Sequence, residues 1–268
     1  MNDFSIWNPV EFTKGSCATW ELGRLCLWTE RYEYEWHILA VYGEEEFSSG
    51  PNFTLRCKDE KQQSSDWVHY ILHNGDRVLP VPAMADRPIV VRPDRMLVLI
   101  PGERAKFFIS LPLSFRLMVG TENNPKEGKK LAEFPSVPMG NAWFGDPVSG
   151  ELCYFNSARL YSDFNQIPAS AIAAVCPIVI SNESDRELSF DRLCLHTEFL
   201  GIYRSHSRFW TNEVQVIFKG TDQETRIHPS KSAPSLEGPM TLVAEARQPI
   251  DNWHFKKTFN LLKQFTGF

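Results

Sequence analysis

Between residues 107 and 119 the chain alternates with a two-residue period. Phe107, Ile109, Leu111, Leu113, Phe115, Leu117 and Val119 take the odd positions, while Ser110, Pro112, Ser114 and Arg116 between them are small, rigid or polar. A pleated strand sends alternate side chains to opposite faces, so the odd set forms one apolar face and the even set looks outward. The pattern predicts the floor of a β core. Proline cannot donate to a ladder, so Pro112 predicts a bend or a change of sheet between two core segments, 107–111 and 113–119.

The same period recurs along the chain. Trp20, Leu22, Cys26 and Trp28 share a parity, and Tyr32, Tyr34, Trp36, Ile38 and Tyr42 resume the pattern after Thr29-Glu30-Arg31. This reads as an aromatic-rich hairpin whose rings either fill a core or offer a stacking platform. Glu33, Glu35 and His37 form a polar ledge or a solvated outer face. Short strands follow at 53–57 and 67–73, the latter closed by Asn74-Gly75, a pair suited to a type I′ hairpin turn. On such a strand His69 and His73 stand about 13 Å apart, too far to share a metal, and no metal site is expected. Pro80, Pro82, Pro88 and Pro93 confine their stretch to edges and crossovers. Residues 96–100 form a strand that turns at Pro101-Gly102 to pair with the opening stretch.

Residues 121–140 carry Asn, Gly and Pro in the density of a linker or long loop. Beyond them come strands at 151–155, 177–180, 214–218 and 240–246, and a short helical turn at 169–174. Residues 187–196 read as one strand whose change of parity calls for a bulge near Asp191-Arg192. From 251 the period becomes helical, with Asp251 as N-cap and Gly267 as stop. Phe255, Phe259, Leu262 and Phe265 line its apolar side. This helix is too short to span a bilayer upright, and it docks on its own sheet, joins a partner or second copy, or lies on a membrane surface. The expected architecture is mainly β: two sandwich-like antiparallel sheet systems, at 1–120 and 141–250, joined by 121–140 and followed by a C-terminal amphipathic helix at 251–268.

Composition narrows this picture only modestly. Aromatics at 13% and eighteen prolines favour strands and short connections. A net charge of −5 argues against a nucleic-acid footprint, which needs clustered Lys and Arg. The first twelve residues lack the basic-then-apolar pattern of a signal peptide, and no apolar run is long enough for a transmembrane helix. The six cysteines are widely and irregularly spaced, most within apolar runs, as expected of reduced core thiols in a cytoplasmic protein.

Several of these pieces occur together in a recognisable order. Arg87-Pro88-Ile89-Val90-Val91, Pro101-Gly102-Glu103, Leu111-Pro112-Leu113, Phe144-Gly145-Asp146-Pro147 with Ser149-Gly150-Glu151, and Cys176-Pro177-Ile178-Val179-Ile180 with Asn182 follow one another. In these strand-and-turn motifs, over about residues 85–246, the chain resembles the prokaryotic domain-of-unknown-function family 432. The resemblance implies a β-rich fold of unassigned activity and transfers no catalytic residue.

Chemical motifs are sparse. No nucleophile elbow, zincin helix, dinucleotide fingerprint or zinc-spaced Cys/His cluster occurs. The glycine-lysine pair Gly128-Lys129 departs from a phosphate loop at two positions, and no cofactor is expected. A glycosidase needs only two converging carboxylates, for which Glu33, Glu35, Asp146 and Glu151 are candidates. The densest segment is 203–210, where an extended chain puts Arg204, His206 and Arg208 on one face beside Trp210, a cationic stripe for an acidic peptide, phosphate or carboxylate. The expected function is a non-catalytic binding or assembly module acting on a protein partner or a second copy, with peripheral membrane contact a lesser alternative. The competing expectation is a saccharide-directed hydrolase working through paired carboxylates.

Overall fold

The computed structural model describes residues 4–47, 50–57, 65–73, 75–120, 128–145, 147–148, 150–220 and 226–249. The protein is mainly β, with several antiparallel sheets, and divides into two compact units that interleave in sequence: 1–83 with 112–138, and 84–111 with 139–268.

The first unit holds β1 (Val10–Glu11), β2 (Ser16–Leu22), β3 (Leu25–Arg31), β4 (Glu35–Tyr42), β5 (Asn52–Cys57), β6 (Val68–Ile71) and β7 (Arg77–Ala83). It also holds β11 (Ser114–Gly120) and β12 (Lys129–Pro135). Four strands form a sheet in the order β1-β7-β11-β12, and five form another in the order β5-β2-β3-β4-β6. Aromatic rings join the two: Phe115 of β11 lies 5.8 Å from Trp20 of β2 and 5.2 Å from Trp7, while Phe12 meets Trp36 at 5.0 Å. Segment 121–140, read as a linker or loop, contains β12, whose register follows β11.

The aromatic segment folds differently from the single hairpin expected of it. Thr29-Glu30-Arg31 lies within β3, and the reversals fall at Gly23-Arg24 and at 32–34, making a three-stranded meander. Because Leu22 pairs with Leu25, Trp20 faces the same way as Leu27, and Trp28 falls on the opposite side with Thr19. Asn74 lies outside the described residues, and the strands on either side of it form no hairpin. β6 pairs with β4, whereas β7 pairs with β1 and β11, so the chain changes sheet there. Gly75 has φ +124°, and a Cβ on it would collide with Val119.

The second unit holds β8 (Ile89–Arg92), β9 (Leu97–Leu99), β10 (Arg104–Pro112), β13 (Gly140–Phe144), β14 (Glu151–Ser157) and β15 (Ala173–Asn182). To these it adds β16 (Leu188–Phe190), β17 (Leu193–Leu195), β18 (Ile202–Arg204), β19 (Phe209–Thr211), β20 (Val214–Phe218), β21 (Arg226–Pro229) and β22 (Thr241–Ala244). Its largest sheet runs β21-β20-β15-β19-β18-β22, with β10 also on β15; the others are β13-β14-β8-β17 and β16-β9. The turn at Pro101-Gly102 forms, but β9 pairs with β16 and β10 with β15, so no hairpin results. Residues 187–196 are two strands in two sheets, the change of parity at Asp191-Arg192 being a change of sheet instead of a bulge. Ala173 and Ala174, expected in a helical turn, begin β15 because their neighbours are β-branched and buried. The helix expected at 251–268 lies outside the described residues.

The opening stretch divides where its proline predicts. β10 ends at Pro112 and β11 begins at Ser114, and the two strands belong to different units. Ile109, Leu111, Leu113, Phe115, Leu117 and Val119 are all buried, with Phe107 half-buried. Removing the Phe115 ring leaves a cavity against Trp7 and Trp20. Phe115→Ala should lower unfolding free energy by about 3–5 kcal/mol in chemical denaturation, and a loss under about 1 kcal/mol would contradict a core role for this face.

Candidate functional site

Titratable side chains gather on the face of the five-stranded sheet opposite Trp20 and Trp36. Glu30 of β3 pairs across the ladder with His37 of β4, and His37 pairs with His69 of β6. Directly paired residues share a face, so these three side chains form a row across adjacent strands. Glu35 stands two residues before His37 and therefore beside it; Tyr32 stands two beyond Glu30.

The imidazoles of His37 and His69 stack with centroids 3.7 Å apart. Glu35 Oε2 lies 2.8 Å from His37 Nε2 and 3.6 Å from His69 Nδ1. One donor atom from each of Glu35, His37 and His69 lies within 4.8 Å of the other two. The other nitrogen of His37, Nδ1, is buried without a hydrogen-bond partner among the described residues and faces Glu30 Oε2 at 3.9 Å. Tyr32 donates its hydroxyl to that same Glu30 oxygen at 2.8 Å, and its ring packs on His37. Glu30 and His37 are buried, whereas the Glu35 and His69 side chains are 43% and 54% exposed, so the group has a closed back and an open front. The hydrogen bond with His37 holds the Glu35 carboxyl below its ordinary range, helped by the nearby His37 and His69 charges.

Two imidazoles and a carboxylate are a donor set taken by zinc and by non-haem iron. Bonds of about 2.0–2.1 Å to a tetrahedral ion place its donors about 3.3 Å apart. The separations of 2.8 and 3.6 Å bracket that value. Spacing along one strand concealed this arrangement, because the partners of His69 come from the neighbouring strand. His73 instead lies against the Tyr34 ring, 5.4 Å between centroids. The readable signal was Glu35-x-His37 on one strand parity, next to a further histidine-bearing strand.

The fold and this polar face together define a mainly β protein with a histidine-carboxylate cluster on one sheet. The chain belongs to the family described as "Protein of unknown function (DUF432)", whose model matches residues 6–263, well beyond the stretch that carries the strand-and-turn motifs. No curated protein and no solved structure matches the chain. Among the described residues, no helix is long and apolar enough to cross a membrane.

The other residues singled out from sequence are distributed elsewhere. Glu33 pairs with Lys14 at 2.7 Å, and Glu151 lies 3.4 Å from His196. Asp146, Phe255, Phe259, Leu262 and Phe265 lie outside the described residues. Segment 203–210 is not extended: β18 and β19 are antiparallel, pairing Tyr203 with Trp210 and Arg204 with Phe209, and the chain reverses between them. Arg204 and His206 are exposed, but Arg208 turns inward, donating to the Phe164 and Ile167 carbonyls at 3.0 and 3.2 Å. Trp210 is fully buried with Phe108, Ile167 and Val175. Arg204, His206 and Arg208 therefore form no continuous cationic stripe.

Glu237 ties this hairpin down. It accepts from Ser205, from Ser207 at 2.6 Å and from Trp210 Nε1 at 2.9 Å, and it faces Arg208 at 3.5 Å. Burial alone would raise its carboxyl, but these three donors and the Arg208 charge hold it below its ordinary range. A depressed carboxyl stabilises the fold above the unfolded-state value of about 4.3 and loses that contribution as pH falls through the lower folded value. Glu237→Gln should therefore cost about 1–3 kcal/mol at neutral pH. Urea unfolding across pH should show the gap to wild type closing in acid; a gap that widens there would refute the assignment.

Proposed function

We propose that this chain is a β-sheet binding module whose ligand is a divalent first-row transition-metal ion, held by Glu35, His37 and His69. The observation that carries the reading is the convergence of these three donors on one side of His37, while its remaining ring nitrogen is buried opposite Glu30. A carboxylate commonly stands behind the second ring nitrogen of a ligating histidine, and Glu30, steadied by Tyr32, stands 3.9 Å from Nδ1. An ion at this position displaces the proton that His37 Nε2 shares with Glu35, and His37 then binds through Nε2. The exposed front leaves at least one coordination position for solvent or a partner's donor group.

Chelator-stripped full-length protein titrated with zinc chloride in a calorimeter tests this. The His37→Ala/His69→Ala double variant should bind one equivalent fewer than wild type, and Glu30→Gln should weaken that equivalent about 10–100-fold. Unchanged stoichiometry and affinity in the double variant would remove the reading. The same open position favours metal-assisted hydrolysis as a second reading, since an ion-bound water becomes acidic enough to attack near neutral pH. It predicts zinc-dependent cleavage of p-nitrophenyl acetate that His69→Ala abolishes; equal rates in both proteins would exclude it.

A further inference from the structure

The second unit encloses a different group of donors, rich in sulfur. Glu151 and Cys153 stand two residues apart on β14 and therefore on one face, and Cys194 lies on β17. β8 pairs with both of these strands, but it begins at Ile89, opposite Tyr154. Cys153 thus extends past the start of the intervening strand, and its sulfur reaches within 3.9 Å of the Cys194 sulfur. Glu151 Oε1 lies 4.0 Å from Cys194 Sγ and 3.4 Å from His196 Nε2; His196 Nδ1 lies 3.2 Å from Glu198 Oε1. Both cysteines are buried, at 0% and 2% exposure.

Two features of this cluster call for a cation. Glu151 and Glu198 flank His196, with Cys153 and Cys194 beside Glu151, and among the described residues Glu198 Oε2 is buried without a hydrogen-bond partner. Geometry points the same way. A disulfide needs sulfurs about 2.05 Å apart, whereas bonds of about 2.3 Å to a tetrahedral ion set two thiolates about 3.8 Å apart. The observed 3.9 Å matches the second arrangement.

We propose that Glu151, Cys153 and Cys194 form a second metal site, a thiolate site for zinc or an ion of similar softness, with His196 as the residue that positions Glu151. His196 passes the constraint on to Glu198, the outer-carboxylate arrangement common behind metal ligands. Binding deprotonates both thiols, whose two protons pass to the buffer, and transfers no electron.

Cobalt(II) distinguishes this site from the histidine-carboxylate one, because only thiolate ligation produces an intense sulfur-to-cobalt charge-transfer band in the near ultraviolet. Reduced, chelator-stripped full-length protein titrated with cobalt(II) should develop that band at one equivalent. The His37→Ala/His69→Ala variant should keep it, and Cys153→Ser and Cys194→Ser should each lose it while other cobalt absorption persists. Excess zinc should bleach it. Wild-type protein with both thiols verified as free and no band overturns the proposal, and so does a band that survives in Cys194→Ser. Because the wild-type titration and the histidine variant suffice, a cysteine variant that fails to fold does not decide the outcome. Loss of either site leaves the other standing.

Discussion

An amide nitrogen without a hydrogen sits in the middle of the chain's longest apolar alternation, and the architecture divides at it. Pro112 cannot donate to a ladder, so the strand pairing of β10 with β15 cannot continue into β11, which lies between β7 and β12. The side-chain period survives the interruption: Leu111 and Leu113 are both buried, each in the core of its own unit. One continuous hydrophobic pattern therefore supplies central residues to both units. Pro177 repeats the device inside β15. Ala174 and Val175 pair with β19, Ile178 to Asn182 pair with β20, and the partner changes across the proline with a one-residue offset.

Backbone register then decides which side chains meet. The two-residue reversal at Gly23-Arg24 pairs Leu22 with Leu25, so even positions of β2 share a face with odd positions of β3. Trp20 and Leu27 go to the core for that reason, and Glu30 is directed to the opposite face. The next reversal pairs Arg31 with Trp36, which sets Glu30 against His37. A one-residue slip at the first turn would direct Glu30 to the aromatic face, and one at the second would direct His37 there; either would dismantle the row that ends at His69. The polar cluster is thus a consequence of the same register that fills the aromatic core.

Strand content was readable because alternation is a local property, visible in Ile109 to Val119 or in Val214, Val216 and Phe218 without knowledge of partners. Pairing was not readable. Pro101-Gly102 has the chemistry of a reversal and Asp191-Arg192 stands where the change of parity calls for a bulge, yet at both the chain passes from one sheet to another. A turn residue specifies backbone angles, and the same angles serve a hairpin or a crossover. The same limit applied to chemistry. Arg208 on an assumed extended strand looks like a surface cation, and only the fold reveals the Phe164 and Ile167 carbonyls that receive it. Along its own segment His69 has only His73 as a second histidine, while its actual neighbours, His37 and Glu35, stand on the strand beside it.

Donor softness and access separate the two clusters further. Nitrogen and oxygen donors at Glu35, His37 and His69 form a borderline set with an open front, where solvent or another molecule's donor would complete the coordination of a bound ion. The sulfur pair Cys153 and Cys194 is fully enclosed and bridges two strands, β14 and β17, that are not neighbours in their sheet. An ion between those sulfurs cross-links strands that backbone hydrogen bonds do not join, so its binding energy enters folding directly. An ion on the open face joins β4 and β6, which are already paired, and adds little to their connection. The proposed buried site would therefore act on the stability of the second unit, and the proposed open one on what the first unit can hold.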